Sequence, residues 1–300
     1  MFLKVWGCRG SLPTPGSTTV KYGGNTSCYE IRNNDNELLI LDAGTGLREL
    51  GNSLMKELPL KAHMLFSHTH WDHIMGYPFC VPIFIPGNVF HLHGPTHFNS
   101  SFEDVMTKSM DYTFFPVRMQ ELGSTLTFED MKEGVYEFGS FTINVKYMNH
   151  PILCLGFKIN CDGKTIVYTG DTEPYYDTVY GDNEPSDEDE EIEKAELLEF
   201  VNLQNEGIVE FLRDVDLVVY DCTYTAEEYP AKKGWGHTSM EHAIDVCEKA
   251  KVKQLIMTHH EPTRTDEQLD ELLKKLRAQL KNTNSKLVID FAREKQTYTP

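Results

Sequence analysis

Ser67-His68-Thr69-His70-Trp71-Asp72-His73 puts four metal-competent side chains, His68, His70, Asp72 and His73, into six consecutive positions. Imidazole and carboxylate together suit zinc, iron and manganese. The string follows directly on Ala62–Ser67, read as a strand, so a loop at the strand's carboxyl end can aim several side chains at one point. A purely structural zinc usually recruits cysteine thiolates into a closed tetrahedral shell. The string has no cysteine, and a reactive centre is the better reading. It cannot hold two ions alone. Further donors stand just after other expected strands: His150 in Met148-Asn149-His150, Asp171 in Thr169-Gly170-Asp171-Thr172, and His259 in Met257-Thr258-His259-His260. A lone His or Asp in such a place is more often structural; the shared placement at strand ends is what groups these three.

The rest of the chain supports such a scaffold. Residues 2–6 alternate apolar and polar, and a loop rich in Gly, Pro, Ser and Thr runs from Gly7 to Gly24. Ser27–Arg32 and Leu38–Leu41 read as strands joined by Asn33-Asn34-Asp35-Asn36. Leu38–Leu41 is continuously apolar, as for a strand buried on both faces. A helix over Gly46–Glu57 fits the Leu47, Leu50, Leu54 spacing. Strands are expected at Phe141–Met148, Cys154–Cys161 and Thr165–Thr169, the last two joined by a hairpin at Asp162-Gly163, then at Asp216–Tyr220 and Leu255–Thr258. Ala195–Arg213 has a helical pattern. Thr238 with Glu241 has capping-box spacing. Asp266–Lys281 is an amphipathic helix with Leu269, Leu272, Leu273, Leu276 and Leu280 on one face. Residues 98–120, with Phe98, Phe102, Met106, Met110, Tyr112, Phe114 and Phe115, read as a helix packing an apolar stripe on the core, with an aromatic wall beside the site as the competing reading. Two sheets flanked by helices satisfy this order.

The chain has 300 residues and a formal net charge of −18, with 46 acidic against 28 basic side chains. Phosphate-backbone affinity rests on Lys and Arg displacing counterions, so this balance disfavours nucleic acid without excluding it. A small anion can still bind where metal ions supply the positive charge. Eight acidic and no basic residues fall in 182–193, read as a solvated, disordered insertion spanning about 176–196 of a domain that covers 1–300. The seven cysteines form no CxxC pair; their odd number and the lack of an export signal suggest reduced thiols and a cytoplasmic location. No run of 18 apolar residues is present, so no membrane span is expected.

His68-Thr69-His70-Trp71-Asp72-His73 resembles the HxHxDH signature of the metallo-β-lactamase superfamily. His150, Asp171 and His259 resemble its later motifs, and Leu41-Asp42-Ala43-Gly44 its first, in the right order over residues 1 to about 265. The resemblance implies an α/β fold, the four-layer αββα sandwich, with two divalent metal ions at one edge between the sheets. Zinc is the first expectation, manganese or iron the alternatives. It implies that His68, His70 and His150 hold one ion, that Asp72, His73 and His259 hold the other, that Asp171 bridges them, and that Asp42 orients ligands. The oxygen-reducing diiron branch carries a carboxylate where this chain has His70, and zinc β-lactamases place Cys where it has Asp171.

Asp221-Cys222-Thr223-Tyr224, Gly236-His237-Thr238-Ser239 and Asn25-Thr26-Ser27 resemble ribonuclease Z and its phosphodiesterase relatives. That branch implies a catalytic role for His237, beside Asp72, in hydrolysing a small phosphodiester such as a cyclic nucleotide with a hydroxide activated by the dinuclear centre. Arg9, Lys21 and Arg264 are basic candidates for gripping the phosphate. Ribonuclease Z often carries a basic arm between its third and fourth metal motifs, whereas here that interval reads as a hairpin and the insertion after Asp171 is acidic. A tRNA 3′ endonuclease is therefore the alternative, followed by a thioester or lactone hydrolase and a non-catalytic metal sensor. A homodimer is a further expectation from the branch.

Overall fold

The computed structural model describes residues 1–96, 99–181, 185 and 188–300. In the four residues of Leu38–Leu41, all buried, side chains alternate between two cores. Leu39 and Leu41 point into one cluster, Leu38 and Ile40 into another, which is the period-2 geometry of a strand. The first part of the chain supplies β1 (Phe2–Gly7), β2 (Cys28–Arg32), β3 (Leu38–Leu41), α1 (Gly46–Leu54), β4 (Lys61–Leu65), the short helix α2 (Trp71–Ile74), β5 (Val89–Pro95), α3 (Phe102–Ser109) and β6 (Thr125–Met131). The second part supplies β7 (Gly134–Phe138), β8 (Phe141–Met148), β9 (Cys154–Cys161), β10 (Lys164–Tyr168), α4 (Glu188–Phe211), β11 (Leu217–Asp221), α5 (Met240–Lys249), β12 (Gln254–Thr258), α6 (Asp266–Asn282), β13 (Val288–Phe291) and β14 (Thr297–Tyr298).

These strands form two seven-stranded sheets, ordered β14-β1-β2-β3-β4-β5-β6 and β13-β12-β11-β10-β9-β8-β7. Between them lies a core in which Val5, Tyr29, Leu41 and Leu65 meet Phe157, Ile166, Tyr168 and Ile256. On the outer face of the first sheet, Leu47 and Leu50 of α1 and Phe102 and Met106 of α3 cover Ile40, Met64 and Leu92. On the outer face of the second, α5 and α6 cover Val218, Leu255 and Met257 with Ala243, Val246, Leu269, Leu273 and Leu276. The result is the expected αββα sandwich. Strands β3 to β6 run parallel, as do β10 to β13. Their carboxyl ends therefore line one edge, where open α/β sheets form their binding crevice.

Some local expectations differ. The helix expected over 98–120 is confined to α3. Phe102, Met106 and Met110 are buried in the core of the first sheet, Tyr112 and Phe114 are exposed, and Phe98 lies outside the described residues. The Asp111 carboxylate accepts from Thr113 N at 2.8 Å, a local turn that competes with helix, and Pro116 cannot continue one. The acidic stretch is not wholly unstructured: Glu188–Glu193 form the first turns of α4, where the carboxylates of Asp189 and Glu190 complement the helix dipole. Residues 182–184, 186 and 187 lie outside the described residues. The cap of α5 is Ser239, whose hydroxyl accepts from His242 N at 3.2 Å. Thr238 is buried one residue earlier, and Glu241 instead accepts from Ala226 N. Strands β5, β6, β7, β13 and β14 were not expected from the sequence pattern. All seven cysteines are buried and unpaired. Among the described residues no helix is long and apolar enough to cross a membrane.

Candidate metal centre

Each expected donor sits at the shared sheet edge: His68, His70, Asp72 and His73 after β4, His150 after β8, Asp171 after β10 and His259 after β12. Two positions at this edge turn sharply, one of them a donor. Asp42 has φ +56° and His259 φ +59°, a left-handed conformation that costs a non-glycine residue about 1 kcal/mol or more and clusters at functional sites. Gly10 makes room for His259, since a Cβ there would lie 2.4 Å from the imidazole.

The donors converge in two abutting sets. Ligand atoms of His68, His70, His150 and Asp171 lie within 4.8 Å of one another, and so do those of Asp72, His73, Asp171 and His259, so Asp171 belongs to both. His70 Nδ1 is 3.1 Å from both His68 Nε2 and His150 Nε2. Asp171 Oδ2 is 3.5 Å from His68 Nε2 and 3.3 Å from the Nε2 atoms of His73 and His259. Asp72 Oδ2 is 3.1 Å from His259 Nε2 and 3.4 Å from His73 Nε2.

Two observations test whether divalent metal fits. His73 Nε2 is fully buried with no hydrogen-bond partner, and a cation is the partner it lacks. Three imidazole nitrogens of the first set also face each other, an arrangement that a shared cation relieves and that matches nitrogen and carboxylate coordination of zinc-type ions. The residues fit.

The opposite ring nitrogens are held from outside. His73 Nδ1 donates to Asp42 Oδ2 at 2.7 Å. The same carboxylate accepts from Ser67 N, Ser67 Oγ and Tyr168 Oη at 2.7, 2.8 and 2.6 Å. His150 Nδ1 donates to Gly236 O at 2.8 Å. His259 Nδ1 reaches Thr223 Oγ1 at 2.9 Å, and that hydroxyl donates to Asp221 Oδ1 at 2.7 Å. Such outer partners fix the tautomer and leave a lone pair facing inward.

In the first set electrostatics agree with this division, whereas in the second the burial of His73 is outweighed by the carboxylates of Asp171, Asp72 and Asp42, which raise it. Burial, followed by the nearby His73, holds His68 well below the ordinary imidazole value, and burial lowers His150 to about 4, so both rings stay neutral and able to ligate. Burial opposes charge on Asp171, but His259, His73 and His68 outweigh it and hold the carboxyl well below its usual range.

His237 lies beside the second set. Its ring stacks on His259 at 4.5 Å, and its Nδ1 is 2.8 Å from Asp221 Oδ2. Burial disfavours its proton, but the Asp221 carboxylate outweighs burial and raises the ring to about 9. Asp72 Oδ2 accepts from Ser11 N at 2.7 Å.

A beta-lactamase superfamily domain is the family model that matches residues 38–189. The chain belongs to this superfamily. Membership carries the hydrolase assignment expected from the motifs. Among curated relatives, ribonuclease Z of Lactococcus lactis subsp. lactis (strain IL1403) is 23% identical, over 90% of this chain and 94% of that one. The metallo-β-lactamase fold protein YhfI of Bacillus subtilis has a TM-score of 0.67 at 18% identity, covering 99% of this chain and 98% of its own. Unliganded yeast PDE1 has a TM-score of 0.65 at 16% identity, covering 99% and 98%. At these identities the structural likeness speaks for the fold.

The three basic candidates for a phosphate grip are all committed elsewhere. Arg9 is buried and donates to Gly23 O at 2.8 Å and Arg264 O at 2.7 Å. Arg264 is buried and paired with Glu228 at 2.7 Å. Exposed Lys21 holds both carboxylate oxygens of Asp270 at 2.5 Å. Arg9→Ala would strip donors from two buried carbonyls, each worth about 1–3 kcal/mol when left unsatisfied. A clearly lower urea midpoint with an unchanged KM is expected; a raised KM at unchanged stability would restore the substrate role.

Two functional positions escaped sequence reading. Asp221 was legible only as part of a motif; fully buried, it orients His237 directly and His259 through Thr223. Glu173 gave no signal. Its buried carboxylate accepts from Tyr229 Oη at 2.9 Å, Gly234 N at 2.7 Å and Gly236 N at 2.9 Å, tying the loop before His237 to the loop of Asp171. Glu173→Gln would turn an amide NH2 toward one of these donors. A loss of about 10-fold or more in kcat, with metal content retained, is the expected outcome.

Proposed function

We propose that the protein is a metal-dependent phosphodiesterase acting on a small phosphodiester, with a 3′,5′-cyclic nucleotide as the first substrate to test. The observation that carries the reading is His237, an imidazole fixed by Asp221 beside two abutting donor sets that share Asp171. His68, His70, His150 and Asp171 would hold one ion, and Asp72, His73, His259 and Asp171 the other, with zinc favoured by the donor set and manganese or iron also compatible. Two such ions supply charge stabilisation at the phosphoryl oxygens and lower the pKa of a water molecule.

Within that frame the chain's residues have distinct tasks. Asp42, Gly236 O and Thr223 keep the ligating rings aimed. Asp72 is placed to accept a proton from the attacking water. As the new O–P bond forms and the P–O bond to the departing arm breaks, His237 gives its proton to the departing oxygen; after product leaves, Asp72 releases to solvent the proton it took from water and His237 recovers one. Unpaired, buried cysteines are in keeping with a reducing, cytoplasmic location.

A second reading, cleavage of RNA, is favoured by relatives named ribonuclease Z and opposed by the net charge of −18. The deciding assay offers 3′,5′-cyclic AMP, bis(p-nitrophenyl) phosphate and a tRNA precursor to zinc- or manganese-loaded protein. Hydrolysis of the first two, abolished by a chelator and without tRNA cleavage, supports the proposal. Cleavage of the tRNA 3′ end would replace it with the nuclease reading. Inactivity on all three with metal bound would shift the weight to thioesters and lactones.

A further inference from the structure

The residues just before His237, Tyr229-Pro230-Ala231-Lys232-Lys233-Gly234-Trp235-Gly236, form a loop between two cavities at the reactive edge. One, of about 400 Å³, is lined by Ser11, Tyr224, Lys232, Trp235, His237 and Pro262 among others. The other, of about 350 Å³, is lined by Asn149, His150, Tyr175, Tyr176 and Gly234 among others. Each thus opens beside a residue of the centre, His237 on one side and His150 on the other.

The loop's cations are placed unusually for so acidic a protein. Lys232 Nζ lies 4.1 Å from the centroid of the Trp235 ring, and Lys233 Nζ lies 4.3 Å from that of Tyr176. Among the described residues neither lysine forms an ion pair, so their charge is not cancelled by a bound carboxylate. Trp235 is 59% exposed although it lines a cavity next to His237. A large indole left in water at that place costs hydrophobic free energy that a ligand can recover. Nor is the loop slack. Glu173 fastens it at three points. Gly234 and Gly236 take φ +87° and +84°, and a Cβ on Gly236 would lie 2.3 Å from His150 Nδ1. The two acidic neighbours of the first cavity are engaged, Glu228 with Arg264 and Glu261 with the Thr263 hydroxyl and amide.

We propose that the cavity beside His237 is a ring-binding subsite, in which a planar aromatic group on one arm of the diester, such as a nucleobase, stacks on the face of Trp235 opposite the Lys232 ammonium. This rests on the phosphodiesterase reading and deepens it: the substrate is a ring-bearing diester of nucleotide size. Stacking on an aromatic side chain tolerates any base, because every base has a π-face.

The test is calorimetric titration of metal-loaded protein with adenosine 5′-monophosphate and with ribose 5-phosphate, which share the phosphate and sugar but not the ring. Tighter binding of the nucleotide is expected, weakened by about 5- to 100-fold in Trp235→Ala and largely restored in Trp235→Phe. Ribose 5-phosphate should bind all three proteins alike. Equal affinity for the two probes, or nucleotide binding unchanged in Trp235→Ala with metal content and circular dichroism intact, would overturn the subsite. Ring-dependent binding by a protein that hydrolyses no phosphodiester upholds the subsite and overturns the phosphodiesterase reading instead.

Discussion

Asp171→Ala is expected to lose bound metal and activity together. Asp171 Oδ2 lies within 3.5 Å of the Nε2 atoms of His68, His73 and His259, and it takes part in both donor sets. Its removal leaves buried imidazoles facing each other, with no carboxylate in the first set and only Asp72 in the second. The metal contribution to such hydrolysis is worth several kcal/mol of barrier, so turnover should fall by at least about 10³-fold. Elemental analysis of the purified variant gives the decisive number. A variant that still carries two ions per chain would remove Asp171 from the bridging role, whatever its activity.

His237→Ala should separate chemistry from metal binding. The ring is absent from the two sets built around the expected ligands, and its Nδ1 is occupied by Asp221. Loss of a general acid costs roughly 10²–10⁴ in turnover. Metal content should stay at the wild-type level, and KM for bis(p-nitrophenyl) phosphate should move far less than kcat. A wild-type rate with intact metal content would end the acid role. A drop in metal content would instead make His237 a ligand, as its proximity to Asp171, Asp221 and His259 permits. Because p-nitrophenoxide departs readily without a proton, the loss should be larger on an alkyl leaving group such as that of 3′,5′-cyclic AMP.

How much of this was readable beforehand varies with the range of the interactions. Phe141–Met148 and Cys154–Cys161 show in the structure the limits expected of them, because strong alternation between tight turns leaves little freedom. Leu38–Leu41 was legible for the opposite reason: an unbroken apolar run can be satisfied only with both faces covered. Four of the five strands that went unseen pair with neighbours distant in sequence; the fifth, β7, forms a local hairpin with β8. β14 is two residues long and exists because Leu3 and Lys4 of β1 offer it partners. In β13 only two of four residues are buried. The cap of α5 was misplaced by one residue, since Thr238 and Ser239 carry equivalent hydroxyls and only tertiary packing decides which one faces the helix. The basic residues were misread because charge type says nothing of orientation: Arg9 sits in the sequence like a surface cation and is fully buried in the fold.

The sequence by itself determined the class of chemistry and the scaffold. Histidines and aspartates spaced at the ends of apolar strands can converge only if those strands lie side by side, and a local string such as 67–73 carries its own spacing. The tertiary structure decided everything that depends on which atom faces which. It set the inward nitrogen of the His73, His150 and His259 rings through Asp42, Gly236 O and Thr223, gave Asp221 its double duty, and brought Glu173 across to hold the loop before His237. These are single hydrogen bonds, most of them between residues 16 to 86 positions apart. Their energies of about 1 kcal/mol each leave no periodic trace in the chain, and they exist only once hydrophobic burial has fixed the two sheets against each other.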